Sequence, residues 1–286
     1  MKQIEPGIYR DIDNNTYHSS VGISKSGLDL IAKCPALYKN RYIDGNRPEP
    51  TKPMIIGSAT HTAVFEPELF TKEYAVAPQV NRRTKEGKAA YAAFLEESEG
   101  KTVLTAEDNE QISAIAGAVR NHPLAAAILE EGEAETSIYH LEEFSGELVK
   151  VRPDWMHQDL IVDLKTTDKA GPEDFSRSCF NFRYYVQAGL YLDMANAAFR
   201  KDLGHDRFNN FLFIVVEKSE PYQVAVYFAD PEMIDMGRAE YQQNLDLYAR
   251  LKRENQWPGY NNDKIVPIAL PYWAANRIGN QPEIYN

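Results

Sequence analysis

The chain has 286 residues, 43% hydrophobic and 26% charged, the proportions of an ordinary water-soluble protein of one large or two small domains. Its net charge of −11 speaks against a surface that coats nucleic acid by charge alone, because phosphate contacts want lysine and arginine. No apolar run reaches the roughly 18 residues of a membrane span, and the N-terminus lacks the apolar core of a secretory signal. Cys34 and Cys179 stand far apart with no CxxC partner, so a reduced, cytoplasmic protein without membrane attachment is expected.

Gly22-Ile23-Ser24-Lys25-Ser26 reads as a helix entrance with Ser24 as N-cap, followed by an apolar stripe of Leu28, Ile31, Ala32 and Leu37. Three prolines between Arg47 and Pro53 make that stretch a stiff extended connection. Residues 54–65 form the next helix, closed by Pro67, and 81–87 a polar loop before a helix over 89–97. The spacing over 105–120 is helical with Thr105 as cap, and a shorter helix follows over 123–131. Runs 136–144, 147–152 and 160–166 read as strands; Ser145-Gly146 makes the first connection a hairpin, so antiparallel pairing is expected. A helix over 182–199 then leads to an apolar strand at 210–217, which implies a parallel, right-handed crossover. Another strand at 222–229 and a long helix over 231–255, with proline at its first position, complete the body. In the tail, the apolar knot 268–273 is expected to dock on the body or on a neighbouring subunit.

The chemistry concentrates in Arg152-Pro153-Asp154-Trp155 and, nine residues after Asp154, Asp163-Leu164-Lys165. Strand side chains alternate with period two, so Asp163 and Lys165 share a face, and Asp154 joins them if its segment pairs alongside. An Asp-x-Lys on an edge strand is ordinarily a solvated ion pair worth ~0–1 kcal/mol. On a central strand it needs partners, and two carboxylates beside an ammonium suit a divalent cation, a phosphate and an attacking water. His61 lies on a small-residue helix, where a lone histidine is more often a core residue; beside two carboxylates it makes a third ligand, with Gly57 allowing close approach. Gln187 and Tyr191, spaced i, i+4, share the face that would cover the carboxylates. Glu135 is a candidate to hydrogen-bond water at the metal, although the seven glutamates between 130 and 147 make a solvated role the commoner one. Arg82, Arg83, Lys85 and Arg183 are candidate phosphate contacts, weighed evenly against a solvated face. Tyr184 and Tyr185 either pack in the core or stack on a base.

Taken in order, Gly7-Ile8-Tyr9, Tyr17-His18, the Gly22–Ser26 run, Cys34-Pro35-Ala36-Leu37-Tyr38, the GxxxH element Gly57–His61, Asn81-Arg82-Arg83-Thr84, Arg152-Pro153-Asp154, Asp163-Leu164-Lys165-Thr166-Thr167, Gln187/Tyr191 and Leu270-Pro271-Tyr272-Trp273-Ala274 resemble the RecE (exonuclease VIII) nuclease family. That family belongs to the RecB-type branch of the PD-(D/E)xK phosphodiesterases. The resemblance implies a restriction-endonuclease-like α/β core, αβββαβ with a central mixed sheet flanked by helices. The order of elements divides the chain into an N-terminal helical extension (1–53), the core (54–258) and a tail (259–286), all in one structural unit. The resemblance assigns metal ligation to His61, Asp154, Asp163 and the Leu164 backbone carbonyl, the catalytic lysine to Lys165, and places in the active site Gln187 and Tyr191. Mg²⁺ or Mn²⁺, two ions with DNA bound, would serve a 5′-to-3′ exonuclease that degrades linear duplex DNA to 5′-mononucleotides and leaves a 3′ overhang. A ring-shaped homo-oligomer, tetrameric by preference, a RecT-like annealing partner and a bacterial, phage or prophage origin also follow from the resemblance. A structure-selective or single-strand-directed nuclease of this fold, and a non-catalytic DNA-binding protein, are the alternatives.

Overall fold

The computed structural model describes residues 3–271, with the backbone alone at 262 and 263. The N-terminal segment forms β1 (Gly7–Tyr9), α1 (Asn14–Ser19), α2 (Lys25–Lys33) and α3 (Pro35–Tyr38), which runs into a π-helical turn at Lys39–Ile43. Ser24 caps α2 through the Gly27 N–H, and Leu28 and Ile31 are buried; Ala32, expected on the same stripe, faces solvent. α4 (Lys52–Phe65) begins inside the proline-rich connection, because Pro53 falls in the first helical turn, where a missing N–H costs nothing. Then come α5 (Pro67–Glu73), β2 (Tyr74–Val76), α6 (Lys85–Glu97) and β3 (Thr102–Leu104), with β2 and β3 paired in parallel. α7 (Ala106–Asn121) opens with a capping box made by Thr105 and Asp108, and α8 (Pro123–Ile128) follows.

The strands are β4 (Glu133–Ala134), β5 (Ser137–Leu141), β6 (Leu148–Val151), β7 (Trp155–His157) and β8 (Leu160–Thr167). The crossover is two helices, α9 (Pro172–Asn181) and α10 (Tyr184–Leu203), leading to β9 (Asn210–Glu217), β10 (Val224–Phe228) and α11 (Pro231–Glu254). Among the described residues the main sheet runs β10-β9-β8-β7-β4, mixed because β8 and β9 are parallel while the other neighbours are antiparallel. The hairpin β5–β6 is present as expected, but it does not continue into β8. It pairs instead with β1, a strand the reading of a helical extension did not contain. The break falls at Pro153, which cannot donate to a ladder, and the chain re-enters the main sheet through the short β7.

Helices cover both faces, and alternation along β8 decides what each face receives. Val162 and Leu164, with Ile214 and Val216 of β9, pack against residues of α4, α7 and α8. Ile161, with Phe211, Phe213 and Val215, packs toward α10 and α11. Asp163 and Lys165 share the parity of Ile161 and so point at α10. They occupy positions where apolar side chains would each contribute about 1.5–3 kcal/mol on burial. α10 and α11 cross with their backbones in contact, since a Cβ at Gly237 would collide with the Tyr185 carbonyl. Ile268 and Leu270 are exposed, as are Ala269 and Pro271, so this part of the expected apolar knot does not dock on the body; Tyr272 and Trp273 lie outside the described residues. Cys34 and Cys179 are buried free thiols, and among the described residues no helix is long and apolar enough to cross a membrane.

Candidate active site

Asp154 sits one residue before β7, opposite the end of its ladder with β8, which stops at the pair Trp155↔Val162. Among the described residues, no strand lies beside the near edge of β8 beyond that pair. The Leu164 N–H, which points to this edge, donates to Asp154 Oδ2 at 2.8 Å. A strand residue sends its N–H and C=O to the same edge, so the Leu164 carbonyl also faces the Asp154 side. Arg152 anchors the segment by donating to Ser137 Oγ and to the Ile12 carbonyl.

His61 approaches from α4, its Nδ1 3.3 Å from Asp154 Oδ2 and its ring edge against Phe65, which stacks on Trp155. Glu135 completes a cluster: one ligand atom each from His61, Glu135 and Asp154 lie within 4.8 Å of one another. Glu135 is held there by a left-handed backbone (φ 47°) and by donation of its N–H to the Asp154 carbonyl. Glu135, expected only to steady a water, converges with His61 and Asp154. Asp163, expected as a ligand, is clamped from α10: Gln187 Nε2 donates to Asp163 Oδ1 at 2.5 Å, and the Lys165 ammonium pairs with Oδ2. Lys165 also donates to Gln187 Oε1 at 3.1 Å, so one amide fixes both halves of the Asp-x-Lys pair.

The charges are strongly coupled. Burial pulls the His61 imidazole down, but the Asp154 carboxylate more than reverses this and holds it at about 9. Burial opposes the Asp154 charge as well; His61, then Lys165 and the Leu164 N–H outweigh it and keep Asp154 below the usual carboxylate range. Burial, and after it the charge of Asp154, push Glu135 up to about 8. Asp163 is pushed by burial to about 6 against the pull of Lys165. Burial disfavours the Lys165 ammonium, yet Asp163 and Asp154 hold it above the ordinary lysine value.

His61, Glu135, Asp154 and Tyr191 line a cavity of about 470 Å³, walled on one side by Arg10, Asn14, Tyr17 and His18 of the N-terminal segment. Gly57 opens onto the same cavity, and a Cβ there would meet no protein atom within 4 Å. The arrangement fits a hard divalent cation. Two carboxylates and an imidazole converge, and burial, with the charge of Asp154 after it, makes the Glu135 carboxylate resist ionising. Of the expected phosphate contacts, Arg183 is already committed to Asp29 (2.8 Å) and Glu240 (3.2 Å). Arg82, Arg83 and Lys85 are exposed beside the start of α6, none of them lining this cavity; Arg82 lies over the Tyr91 ring. Sequence reasoning passed over Arg10, Asn14 and the cavity-facing part of Arg152; the one signal available was the Arg152-Pro153-Asp154 run itself.

A model of the "PDDEXK-like domain of unknown function" family (DUF3799) matches residues 24–265. The chain belongs to this family. The PDDEXK-like fold recurs in a solved structure from Eubacterium rectale, described as a "Putative exonuclease". It is 13% identical in sequence, covers 93% of this chain and 98% of its own, and superposes with a TM-score of 0.58. No curated protein matches this PDDEXK-like chain.

Proposed function

We propose that the protein is a Mg²⁺- or Mn²⁺-dependent exodeoxyribonuclease that degrades linear duplex DNA in the 5′-to-3′ direction, releasing 5′-mononucleotides and leaving a 3′ single-stranded overhang. The observation that carries the reading is the juxtaposition of a His61–Glu135–Asp154 cluster with an Asp163–Lys165 pair locked by Gln187, beside an open cavity. Polarity, duplex preference, a ring-shaped assembly and an annealing partner rest on the RecE resemblance of the motifs.

His61, Glu135 and Asp154 would hold the cation, with Asp163 and the Leu164 carbonyl on its flank. When bound, it supplies Lewis-acid stabilisation of phosphoryl oxygens and eases deprotonation of water. Lys165 stays charged throughout the working pH range, so its part is to donate hydrogen bonds and offset developing charge, not to accept a proton. Gln187 holds that ammonium at a fixed position, which limits the reorganisation needed when the phosphate arrives. Tyr191, on the next turn of α10, lines the cavity.

Release of acid-soluble nucleotides from linear and from covalently closed duplex DNA, with Mg²⁺ and with EDTA, tests the reading. The expected result is Mg²⁺-dependent release from linear DNA alone, abolished in Asp163→Ala with DNA binding largely retained. Cutting of closed circles would remove the exonuclease assignment; Mg²⁺-independent release, or full activity in Asp163→Ala, would remove the site.

A further inference from the structure

At the turn between α9 and α10 the chain holds large aromatic rings in water. Phe180 is 68% exposed and Phe182 60% exposed, in a protein whose other phenylalanines near this face, Phe175 and Phe213, are buried. Each exposed ring runs roughly parallel to a half-buried tyrosine, offset from it: Phe180 to Tyr185 with 8° between planes at 6.3 Å, Phe182 to Tyr184 with 26° at 5.6 Å. Their outer faces are left free.

The turn is braced from three directions. The Phe182 N–H donates to the Ser178 carbonyl, the Arg183 N–H donates to that of Phe180, and Lys25 Nζ donates to the Phe182 carbonyl at 2.7 Å. Arg183, in a left-handed conformation, is tied to Asp29 of α2 and Glu240 of α11. Rings presented by so fixed a turn are preorganised, and an occupant would bind them without ordering the loop first.

Position selects the occupant. The Lys165 ammonium sits 4.4 Å from the Tyr184 centroid, so the Phe182 ring lies within about 10 Å of the lysine that faces the scissile phosphate. A base one or two nucleotides from that phosphate reaches such a ring. Lys25, 6.0 Å from the same tyrosine and paired with Asp29 at 2.8 Å, places a second ammonium beside it. Flat rings with one free face, interleaved with ammonium groups next to a phosphodiester site, fit unpaired nucleobases.

We infer that Phe182, with Phe180 beside it, stacks unpaired bases of the DNA strand entering the site, so that the protein engages a duplex end with its terminal bases separated. The inference rests on the nuclease reading for its location, but its test does not depend on turnover. Binding of a hexathymidylate and of an abasic oligonucleotide of equal length is measured by fluorescence anisotropy in Ca²⁺ buffer. The parent, Phe182→Ala and Phe182→Trp proteins are compared. Stacking predicts that Phe182→Ala weakens hexathymidylate binding about tenfold and leaves abasic binding unchanged. Phe182→Trp keeps the affinity and gains a tryptophan signal quenched by hexathymidylate but not by the abasic strand. Equal losses on both oligonucleotides, or no loss on either, overturn the inference. So does a size-exclusion shift of the parent to a smaller species on Phe182→Ala, which would mean that a second copy of the chain covers the ring. If the parent releases no nucleotides yet the selective quench is present, the nuclease reading falls and the stacking surface stands; release without the quench gives the reverse.

Discussion

Replacing Glu135 by glutamine separates a ligand of a cation from a bystander, because it acts on stability as well as on activity. In the metal-free protein the Glu135 carboxyl sits at about 8, driven there by burial and then by Asp154, with charge and not hydrogen bonding linking it to its neighbours. A carboxyl whose folded-state value lies above its unfolded one holds a proton in the fold that the unfolded chain gives up. Between about pH 4.5 and 8 stability therefore falls as pH rises, and it levels off above that. The full displacement corresponds to a ceiling of about 4–5 kcal/mol. Water in the cavity and the shared titration with His61 and Asp154 reduce this to about 2–3 kcal/mol. Glu135→Gln removes the penalty while keeping the shape. At about 2–4 °C per kcal/mol for a chain of this size class, the variant should melt about 5 °C above the parent at pH 8 in EDTA, with the gap closing toward pH 5. Mg²⁺ should raise the melting temperature of the parent and leave the variant almost unmoved, and nucleotide release should fall by two orders of magnitude or more. Thermal melts at pH 5, 6.5 and 8, with EDTA and with Mg²⁺, supply the data. A variant no more stable than the parent at pH 8, or an equal Mg²⁺ shift in both, refutes the assignment of Glu135 to the cation.

Gln187→Ala deprives buried Asp163 of its only neutral donor and frees the Lys165 ammonium; it should cost about 1–3 kcal/mol of stability and lower kcat about a hundredfold with KM nearly constant, by steady-state assay on a short duplex. His61 and Glu135, at about 9 and about 8, both carry protons at pH 7 without metal, so Mn²⁺ binding should release between one and two protons. Calorimetry in two buffers of different ionisation enthalpy reads that number, and apparent affinity should climb with pH until about 9; release of none would show that neither group ligates. DNA affinity should be at least tenfold weaker in EDTA than in Ca²⁺, by anisotropy on a labelled duplex, and equal affinities would contradict the charge layout of the cavity.

Asp163 and Lys165 were legible because period-two alternation fixes their common face and because Leu160-Ile161-Val162 made the strand central; Asp163 is buried and Lys165 half-buried, and the parallel β8–β9 pairing follows from the helical crossover between the two strands. Gln187 was legible through helical spacing alone. The convergence of Glu135 with His61 and Asp154 is not legible in the sequence, for a definite reason. A glutamate among seven has no local signal, and what brings it to Asp154 is a left-handed residue and a backbone bond between chain segments that only the folded sheet makes neighbours. The split of the three-strand run was hidden for a similar reason. Local pattern shows that a segment is a strand, but whether it pairs with β1 or with β8 depends on Pro153 and on a partner more than a hundred residues away. Arg183 looked like a free cation in the sequence, and only the packing of α2 and α11 against the start of α10 gives it two carboxylates.

The cavity itself resolves the conflict between a net charge of −11 and a phosphate-bearing substrate. Its lining sets Asp11, Asp13, Glu66, Glu73, Glu135 and Asp154 against Arg10, Arg152 and two histidines. A polyanion meets no net attraction there until cations are in place, since like charges a few ångströms apart in a partly desolvated hollow repel by several kcal/mol. His61 meanwhile spends its charge on Asp154, and Lys165 on Asp163. A divalent ion held by His61, Glu135 and Asp154 would displace protons from this network and turn the local field from repelling to attracting. On the proposed nuclease reading, metal loading would come first and substrate admission second.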